Sequence, residues 1–169
     1  MSHRHAEDYS AELLSPRNRH EAAVIALLAA LLVGLGYPQE RITILSAYVG
    51  QLVILNSLLK QAGLEKVVAS TVDAYQGEEN DLVLLSLVRS NADGKLGFTS
   101  VDNRVCVALS RARLGFFCAC DLEMLGAGSK LWATLQRHVR KESRSGAALP
   151  LQLADDGDAA AAAKKTTTP

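Results

Sequence analysis

The chain has 169 residues, 49% of them hydrophobic and 21% charged, which is the size and composition of one globular domain with an ordinary core. Eighteen basic and eighteen acidic residues give a formal net charge of zero. This balance argues against an independent nucleic-acid-binding module, because such modules usually carry a strongly basic face.

The cysteines, the histidines and the apolar stretches further limit the kinds of protein that this chain can be. The three cysteines match no zinc-ligand spacing and their odd number excludes a fully paired disulfide framework, so we expect buried free thiols in a reducing compartment. The four histidines are scattered along the chain, which predicts no metal site. The longest apolar stretch, residues 22–35, is too short to cross a bilayer. We therefore expect an intracellular protein, cytoplasmic or nuclear, with no membrane partner.

In chain order, the first element with a clear pattern is a helix that begins after Asn18, carries Glu21 in its first turn and ends near Gly34. It is apolar on nearly every side, so we expect it to be well buried. Strands and helices then alternate. The pattern predicts strands at 42–46, 67–70, 82–88 and 114–120, and helices at 50–61, 101–113 and 129–140, the last capped by Ser129.

This alternation with short links is typical of a doubly wound α/β fold, a mostly parallel sheet flanked by helices. The run at 82–88 is apolar on both faces, as in a parallel sheet that helices cover on both sides. In such sheets ligands bind at the carboxyl ends of the strands. Ser46, Thr71 and Arg89 lie at or just after predicted strand ends.

The two ends of the chain depart from the pattern. Residues 1–15 are poorly patterned and start abruptly, as a fragment or a truncated gene model would. Residues 143–169 include a five-alanine run and three threonines, a low-complexity composition that predicts disorder. We therefore assign the folded domain to residues 16–142.

Two segments about thirty residues apart carry the most specific signal. The first is STVDAYQGEEND at 70–81, and the second is NRVCVALSRAR at 103–113. Together they resemble motifs V and VI of the superfamily 1 helicases, in the second of that family's two RecA-like motor domains. The runs ITILSAYVGQ at 42–51 and LSLVRSN at 85–91 extend the resemblance. It is closest to superfamily 1B helicases of the nonsense-mediated-decay type and to helicases that carry NFX-type zinc fingers.

The resemblance implies a RecA-like fold of the P-loop NTPase type, although no G-x-x-x-x-G-K-S/T phosphate loop occurs in the chain. ATP and Mg²⁺ would therefore be shared with a first RecA-like domain absent from this chain. Arg111 matches the family's arginine finger, a guanidinium that stabilises charge on the transferred phosphoryl group. Gln76, Gly77 and Glu79 match positions that bind the nucleotide.

For single-stranded RNA or DNA, the resemblance assigns phosphate contacts to Ser46 and Thr71, with Arg89 as a further contact. Contacts of this kind fix the strand and carry no sequence information. The two hydroxyls could instead form turns. Tyr48 could stack on a base or pack inside the domain.

Three other charged residues keep alternatives open. Arg113 lies about 200° around the predicted helix from Arg111, so both cannot point at one phosphate, and a surface position or a salt bridge is the alternative for Arg113. Asp73 could bind nucleotide or cap a strand end. Glu78 is expected to be solvated.

We therefore expect the second motor domain of an ATP-dependent superfamily 1 RNA or DNA helicase, inactive alone, which supplies the arginine finger and half of the nucleic-acid groove. The alternative is a truncated, non-catalytic helicase-like scaffold or interaction domain. An unrelated α/β hydrolase or transferase is disfavoured, because the sequence contains no nucleophile elbow.

Overall fold

The computed structural model describes residues 1–146. The disorder predicted for residues 143–169 falls mainly on residues 147–169, which lie outside the described residues. The helices of the described part are α1 (Arg19–Gly34), α2 (Val49–Gln61), α3 (Asp102–Leu109), α4 (Leu122–Gly128) and α5 (Lys130–Lys141). The strands are β1 (Asp8–Ser10), β2 (Ser15–Arg17), β3 (Ile42–Ser46), β4 (Val68–Thr71), β5 (Asn80–Ser86) and β6 (Ala112–Ala119).

The main sheet has four strands in the order β4-β3-β5-β6, and every neighbouring pair is parallel. Strand β3 coincides with the predicted strand at 42–46, and all five of its residues are buried. The predicted α/β fold with a parallel sheet flanked by helices is thus confirmed. No helix within residues 1–146 has the length and apolarity that a bilayer crossing requires.

Both faces of the sheet are covered, which explains the continuous apolar strands. Ile44 and Leu84 point to one side, where α1 and α2 pack on them. Leu45 and Leu85 point to the other side, where they meet residues of α3, α4 and α5, including the buried Trp132. Each such side chain contributes about 1.5–3 kcal/mol when fully buried, so the burial of these two layers is a large favourable contribution to the stability of the fold.

Helix α1 begins where the sequence predicts. The side chain of Asn18 accepts a hydrogen bond from the Glu21 N–H at 3.1 Å, which satisfies one of the free donors of the first turn. The helix is buried on the side that faces the sheet, as expected, but its outer face is open even where it is apolar, and Leu27 there is 70% exposed.

The helix predicted at 101–113 is too long. Helix α3 ends at Leu109, and the chain enters β6 at Ala112, which pairs with Asn80 at the start of β5. Pairing between strands decides this boundary, because residues 110–113 are compatible with helix on local pattern alone. At α5, Ser129 occupies the N-cap position without a side-chain hydrogen bond to the helix.

Residues 1–17, which carry little sequence pattern, pack on this domain. Strands β1 and β2 form an antiparallel pair, and Ser2 forms a parallel bridge with Cys120 next to the outer edge of β6. The Cys120 thiol is buried, and the neighbouring Cys118 side chain and burial raise its pKa. Cys106 is exposed and Cys118 is half-buried, so the expectation of buried thiols is correct only for Cys120.

Candidate functional site

The predicted site residues lie at two opposite edges of the sheet. Ser46 and Thr71 are register partners at the carboxyl ends of β3 and β4, and Ser86 pairs with Ser46 at the end of β5. The turn at 76–79 instead precedes β5, at the amino edge, where Asn80 pairs with Ala112. The seven residues of β5 span about 20 Å at a strand rise of about 3.3 Å per residue. The two ends of β5 are therefore about one strand length apart, while Gln76 is only five residues from Thr71 in the segment that joins the edges.

A single segment, residues 72–79, connects the two edges. At the carboxyl edge the Val72 N–H donates to the Ser46 carbonyl at 3.0 Å, and the Tyr75 N–H donates to the Thr71 carbonyl at 3.0 Å. Midway, the Tyr75 hydroxyl lies 3.2 Å from the Thr43 hydroxyl of β3. The segment is thus fixed to the sheet at its start and in its middle.

Arg111 lies between α3 and β6 and is fixed against the turn at 76–79. Its side chain donates to the Val107 carbonyl at 2.9 Å, to the Glu78 carbonyl at 3.3 Å and to the Ser110 hydroxyl at 2.9 Å. All three acceptors are neutral, and no carboxylate within residues 1–146 forms an ion pair with Arg111. Its positive charge is held in place without being neutralised, so it can still attract an anion.

Arg113 has a different environment, although not for the reason that the sequence suggests. It lies in strand β6 rather than on a helix shared with Arg111. Its guanidinium contacts Glu79 at 3.4 Å and Asp81 at 3.0 Å. The salt-bridge interpretation of Arg113 is therefore correct, while the helical geometry that led to it is wrong.

The turn that faces Arg111 is exposed. Gln76 and Glu79 are both open to solvent, and Glu79 contacts Arg113 while remaining 61% exposed. Gly77 has φ of 89°, and a Cβ added there would meet no atom within 4 Å. Glycine is therefore required by the left-handed backbone and not by lack of space. A ligand at this turn would meet a backbone that is open on its outer side.

At the carboxyl edge, the two hydroxyls are engaged within the domain. Ser46 is fully buried, and its hydroxyl accepts a hydrogen bond from the Tyr48 N–H at 3.3 Å. The hydroxyl of the half-buried Thr71 accepts from the Ala74 N–H at 3.1 Å. Both act as turn formers here. The turn-forming alternative thus describes the present contacts of both hydroxyls, and the phosphate contact predicted for Ser46 stays a prediction for a residue that is fully buried.

Arg89 is also engaged. It forms an ion pair with Glu7 at 3.1 Å, with 13% and 14% of the two side chains exposed, and it donates to the Lys95 carbonyl at 3.0 Å. Its guanidinium lies 5.9 Å from the ring centre of Tyr48. The Tyr48 hydroxyl accepts the Phe98 N–H at 3.0 Å, which is the packing role foreseen as an alternative to base stacking.

Sequence reasoning missed a second link between the two motifs. Asp73 in the first motif contacts Arg104 in the second at 3.4 Å, and Arg104 lies 5.1 Å from the ring centre of Phe98. Both members of the ion pair are exposed, so it contributes at most about 1 kcal/mol. The only sequence feature that could have predicted this ion pair is that one motif contains an acidic residue and the other a basic one.

Three of the four histidines, although distant in the sequence, lie together in the structure. His3, His5 and His20 form a cluster, with the rings of His5 and His20 stacked at 3.7 Å. Burial, followed by the nearby His5 and His3, lowers the pKa of His20. No group of three or more metal-ligating side chains suited to a metal ion occurs in the described part of the chain.

Comparisons with known proteins place these motifs in a family. A family model described as "AAA domain" matches residues 2–123, which include both motifs. NFX1-type zinc finger-containing protein 1 of Mus musculus is 41% identical over 151 residues, 89% of this chain and 8% of that protein. Helicase required for RNAi-mediated heterochromatin assembly 1 of Schizosaccharomyces pombe is 39% identical over 135 residues, 78% of this chain and 13% of that protein. Regulator of nonsense transcripts 1 of Caenorhabditis elegans is 34% identical over 143 residues, 81% of this chain and 13% of that protein.

This chain thus spans about a tenth of the length of these relatives. The family match extends over most of the chain and runs through the whole parallel sheet. The chain belongs to the AAA domain family and to the superfamily 1 helicases.

Proposed function

We propose that this chain is the second RecA-like motor domain of an ATP-dependent helicase, and that it supplies the arginine finger and half of the groove for single-stranded RNA or DNA. The observation that carries the proposal is the state of Arg111. Its guanidinium is fixed by three neutral acceptors beside an open, glycine-containing turn and keeps its charge available for a phosphate.

The chemistry of ATP hydrolysis explains how an arginine held in this way would act. Negative charge builds on the transferred phosphoryl oxygens, and a preorganised guanidinium that faces them lowers the barrier. Arginine suits the role because it stays charged and presents a planar fork of donors. ATP with Mg²⁺ would be held mainly by a first RecA-like domain, while Gln76, Gly77 and Glu79 would complete the site from this side.

The connection between the two edges supports a role in transmission. Thr71 lies at the carboxyl edge, and the segment 72–79 leads from it to the turn that contacts Arg111. A change in the position of this turn on hydrolysis would be carried to Thr71 along a segment that is hydrogen-bonded to β3. The Thr71 hydroxyl accepts from the Ala74 N–H and can still donate its own proton to a phosphate oxygen of the nucleic acid, whereas Arg89 would have to loosen its ion pair with Glu7 to do so. Ser46 contributes through the turn that it stabilises.

The test uses two proteins. The chain alone should release phosphate at background rates with or without single-stranded RNA, because it has no phosphate loop to hold the triphosphate. A two-domain protein, in which the first RecA-like domain of a relative is joined ahead of this chain, should show turnover stimulated by single-stranded nucleic acid. Turnover by the purified chain alone would overturn the proposal. Absence of turnover in a well-folded two-domain protein would favour the non-catalytic scaffold.

A further inference from the structure

The backbone makes an unusual turn where β5 ends. Val88 has φ of 72°, in the left-handed region that β-branched residues rarely adopt. The Arg89 N–H donates to the Leu87 carbonyl at 2.8 Å, across Val88. A hydrogen bond from residue i+2 to residue i with positive φ in the centre describes the rare, strained form of the γ-turn. Glycine would adopt this conformation without strain, yet the chain has valine.

Two side chains hold this strained residue from both sides. A carboxylate oxygen of Glu21 accepts the Val88 N–H at 2.8 Å. The side-chain amide of Asn18 donates to the Val88 carbonyl at 3.2 Å. Both the N–H and the carbonyl of Val88 are therefore held by residues at the amino end of α1. A strained backbone of this kind persists only where several surrounding contacts hold it in place.

The holding residues are themselves fixed in a buried polar network. Glu21 is fully buried, and its carboxylate also accepts from the Ser86 hydroxyl at 2.6 Å and contacts His3 Nε2 at 2.9 Å. Gln51 at the start of α2 accepts the Asn18 N–H at 2.8 Å and donates to the Ser86 hydroxyl at 2.9 Å. Every buried side-chain nitrogen and oxygen in residues 1–146 has a partner. A fully satisfied network of this kind specifies one geometry.

The turn determines where the next segment goes. Past Val88 the chain leaves the sheet, and Arg89 is placed over Tyr48, next to the carboxyl end of β3. The segment 89–101 then crosses that edge and leads into α3. It is held in place by the Ser90 hydroxyl, which donates to the Asp121 carboxylate at 2.8 Å. An extended Val88 would continue along the strand direction and take Arg89 away from this edge.

We propose that Asn18 and Glu21 are positioning residues for nucleic-acid binding: by holding Val88 in the strained turn, they place Arg89 and the segment 89–101 over the carboxyl edge of the sheet. The proposal rests on the proposed function, because it requires that single-stranded nucleic acid binds at this edge. Neither residue touches the nucleic acid. Their effect passes through the backbone of Val88.

The experiment is a rescue test in the two-domain protein, with binding of a fluorescently labelled single-stranded RNA as the readout. Glu21→Gln removes the charge that accepts the Val88 N–H, and binding should weaken about tenfold, the order expected for one hydrogen bond to a charged group. Adding Val88→Gly should restore affinity to within about twofold of Val88→Gly alone, because glycine adopts positive φ unaided. Asn18→Ser, which keeps a helix cap but loses the donor to Val88, should behave as Glu21→Gln does.

Controls separate positioning from stability. Leu59→Ala creates a cavity in a buried part of α2 and should lower the thermal midpoint without changing affinity at a temperature where the protein is folded. Loss of binding in Glu21→Gln that Val88→Gly fails to rescue would overturn the positioning role. Unchanged binding in both Glu21→Gln and Asn18→Ser would do the same.

The outcomes also distinguish the two proposals. If Arg89→Ala weakens binding but the positioning variants do not, the surface stands and the positioning role fails. If Arg89→Ala and Thr71→Val both leave binding unchanged, the proposed surface itself is wrong. If Glu21→Gln does not fold, amide hydrogen exchange in Asn18→Ser provides the test. The amides of residues 89–91 should lose protection in this variant and regain it when Val88→Gly is added. Protection that is the same in all variants would refute the inference.

Discussion

Replacing Arg111 with alanine in the two-domain protein tests the arginine finger most directly. The structure assigns the side chain three hydrogen bonds to neutral acceptors on a half-exposed surface. A hydrogen bond from a charged donor contributes about 1.5–3 kcal/mol when buried, but two of the three lie at the exposed surface, where solvent screening leaves about 1 kcal/mol or less, so their loss should cost a few kcal/mol of stability. The protein should therefore remain folded, and any large loss of turnover must come from the chemistry.

The expected loss of turnover is about two to five orders of magnitude, which corresponds to roughly 3–7 kcal/mol of transition-state stabilisation. ATP affinity should fall much less, because the charge that Arg111 faces develops mainly during phosphoryl transfer. Arg111→Lys should restore little activity, since an ammonium lacks the planar fork of donors. Steady-state phosphate release at saturating single-stranded RNA measures turnover, and equilibrium binding of a fluorescent ATP analogue measures affinity.

Arg113→Ala is the matched control, because it removes the same charge two residues away. Its partners Glu79 and Asp81 are 61% and 19% exposed, so each ion pair contributes at most about 1 kcal/mol. Turnover should change by no more than a few-fold. A severe loss in Arg113→Ala together with a nearly silent Arg111→Ala would refute the assignment of the finger.

Three further predictions concern stability. Gly77→Ala should destabilise the chain by about 1–2 kcal/mol in urea unfolding because of its left-handed backbone, whereas Gly34→Ala, at an equally open position in the last turn of α1, should be neutral or mildly stabilising. The pKa of His20 is lowered in the folded chain, so as the pH falls through about 6.5 the unfolded chain binds a proton before the folded chain does. The free energy of unfolding should therefore decrease in this pH range, and His20→Gln should make that decrease smaller. Removing residues 147–169 should leave the thermal midpoint nearly unchanged, because their composition cannot offset the entropy of ordering; a drop of many degrees would contradict this.

Elements with a strong local signal could be predicted from the sequence. Strand β3 is a short β-branched run buried on both sides, and Asn18 followed by Glu21 marks the start of α1, so both were placed correctly. The end of α3 was missed, because residues 110–113 show no local signal against helix. What ends the helix is the pairing of Ala112 with Asn80, thirty-two residues earlier in the chain. Contacts between distant segments decide such boundaries.

The same limit applies to the candidate site. The motif resemblance pointed to Arg111, but it could not show that Ser46 faces the core or that Arg89 is paired with Glu7. In the sequence, Glu21 is only an acidic residue in the first turn of a helix, which is a common position for one and does not reveal that it is buried. Its burial follows from Ser86 and Val88, more than sixty residues later in the chain, and local pattern contains no trace of them.

On the proposed function, this small domain would meet the nucleotide at one edge of its sheet and the nucleic acid at the other. The two ends of β5 are about 20 Å apart in a rigid parallel sheet, so a signal between the two edges needs an element that can change its contacts with the sheet. The segment 72–79 is such an element: it is exposed along much of its length and joins the sheet through few side chains. Thr43, near the amino end of β3, is the main contact of this segment with the strand: its hydroxyl lies 3.2 Å from the Tyr75 hydroxyl and 3.0 Å from the side-chain amide nitrogen of Asn80. If the proposed function is correct, a shift of the turn at Arg111 would pass toward Thr71 through this contact and through the hydrogen bond from the Tyr75 N–H to the Thr71 carbonyl. We therefore expect the buried Thr43 hydroxyl to take part in coupling the two edges.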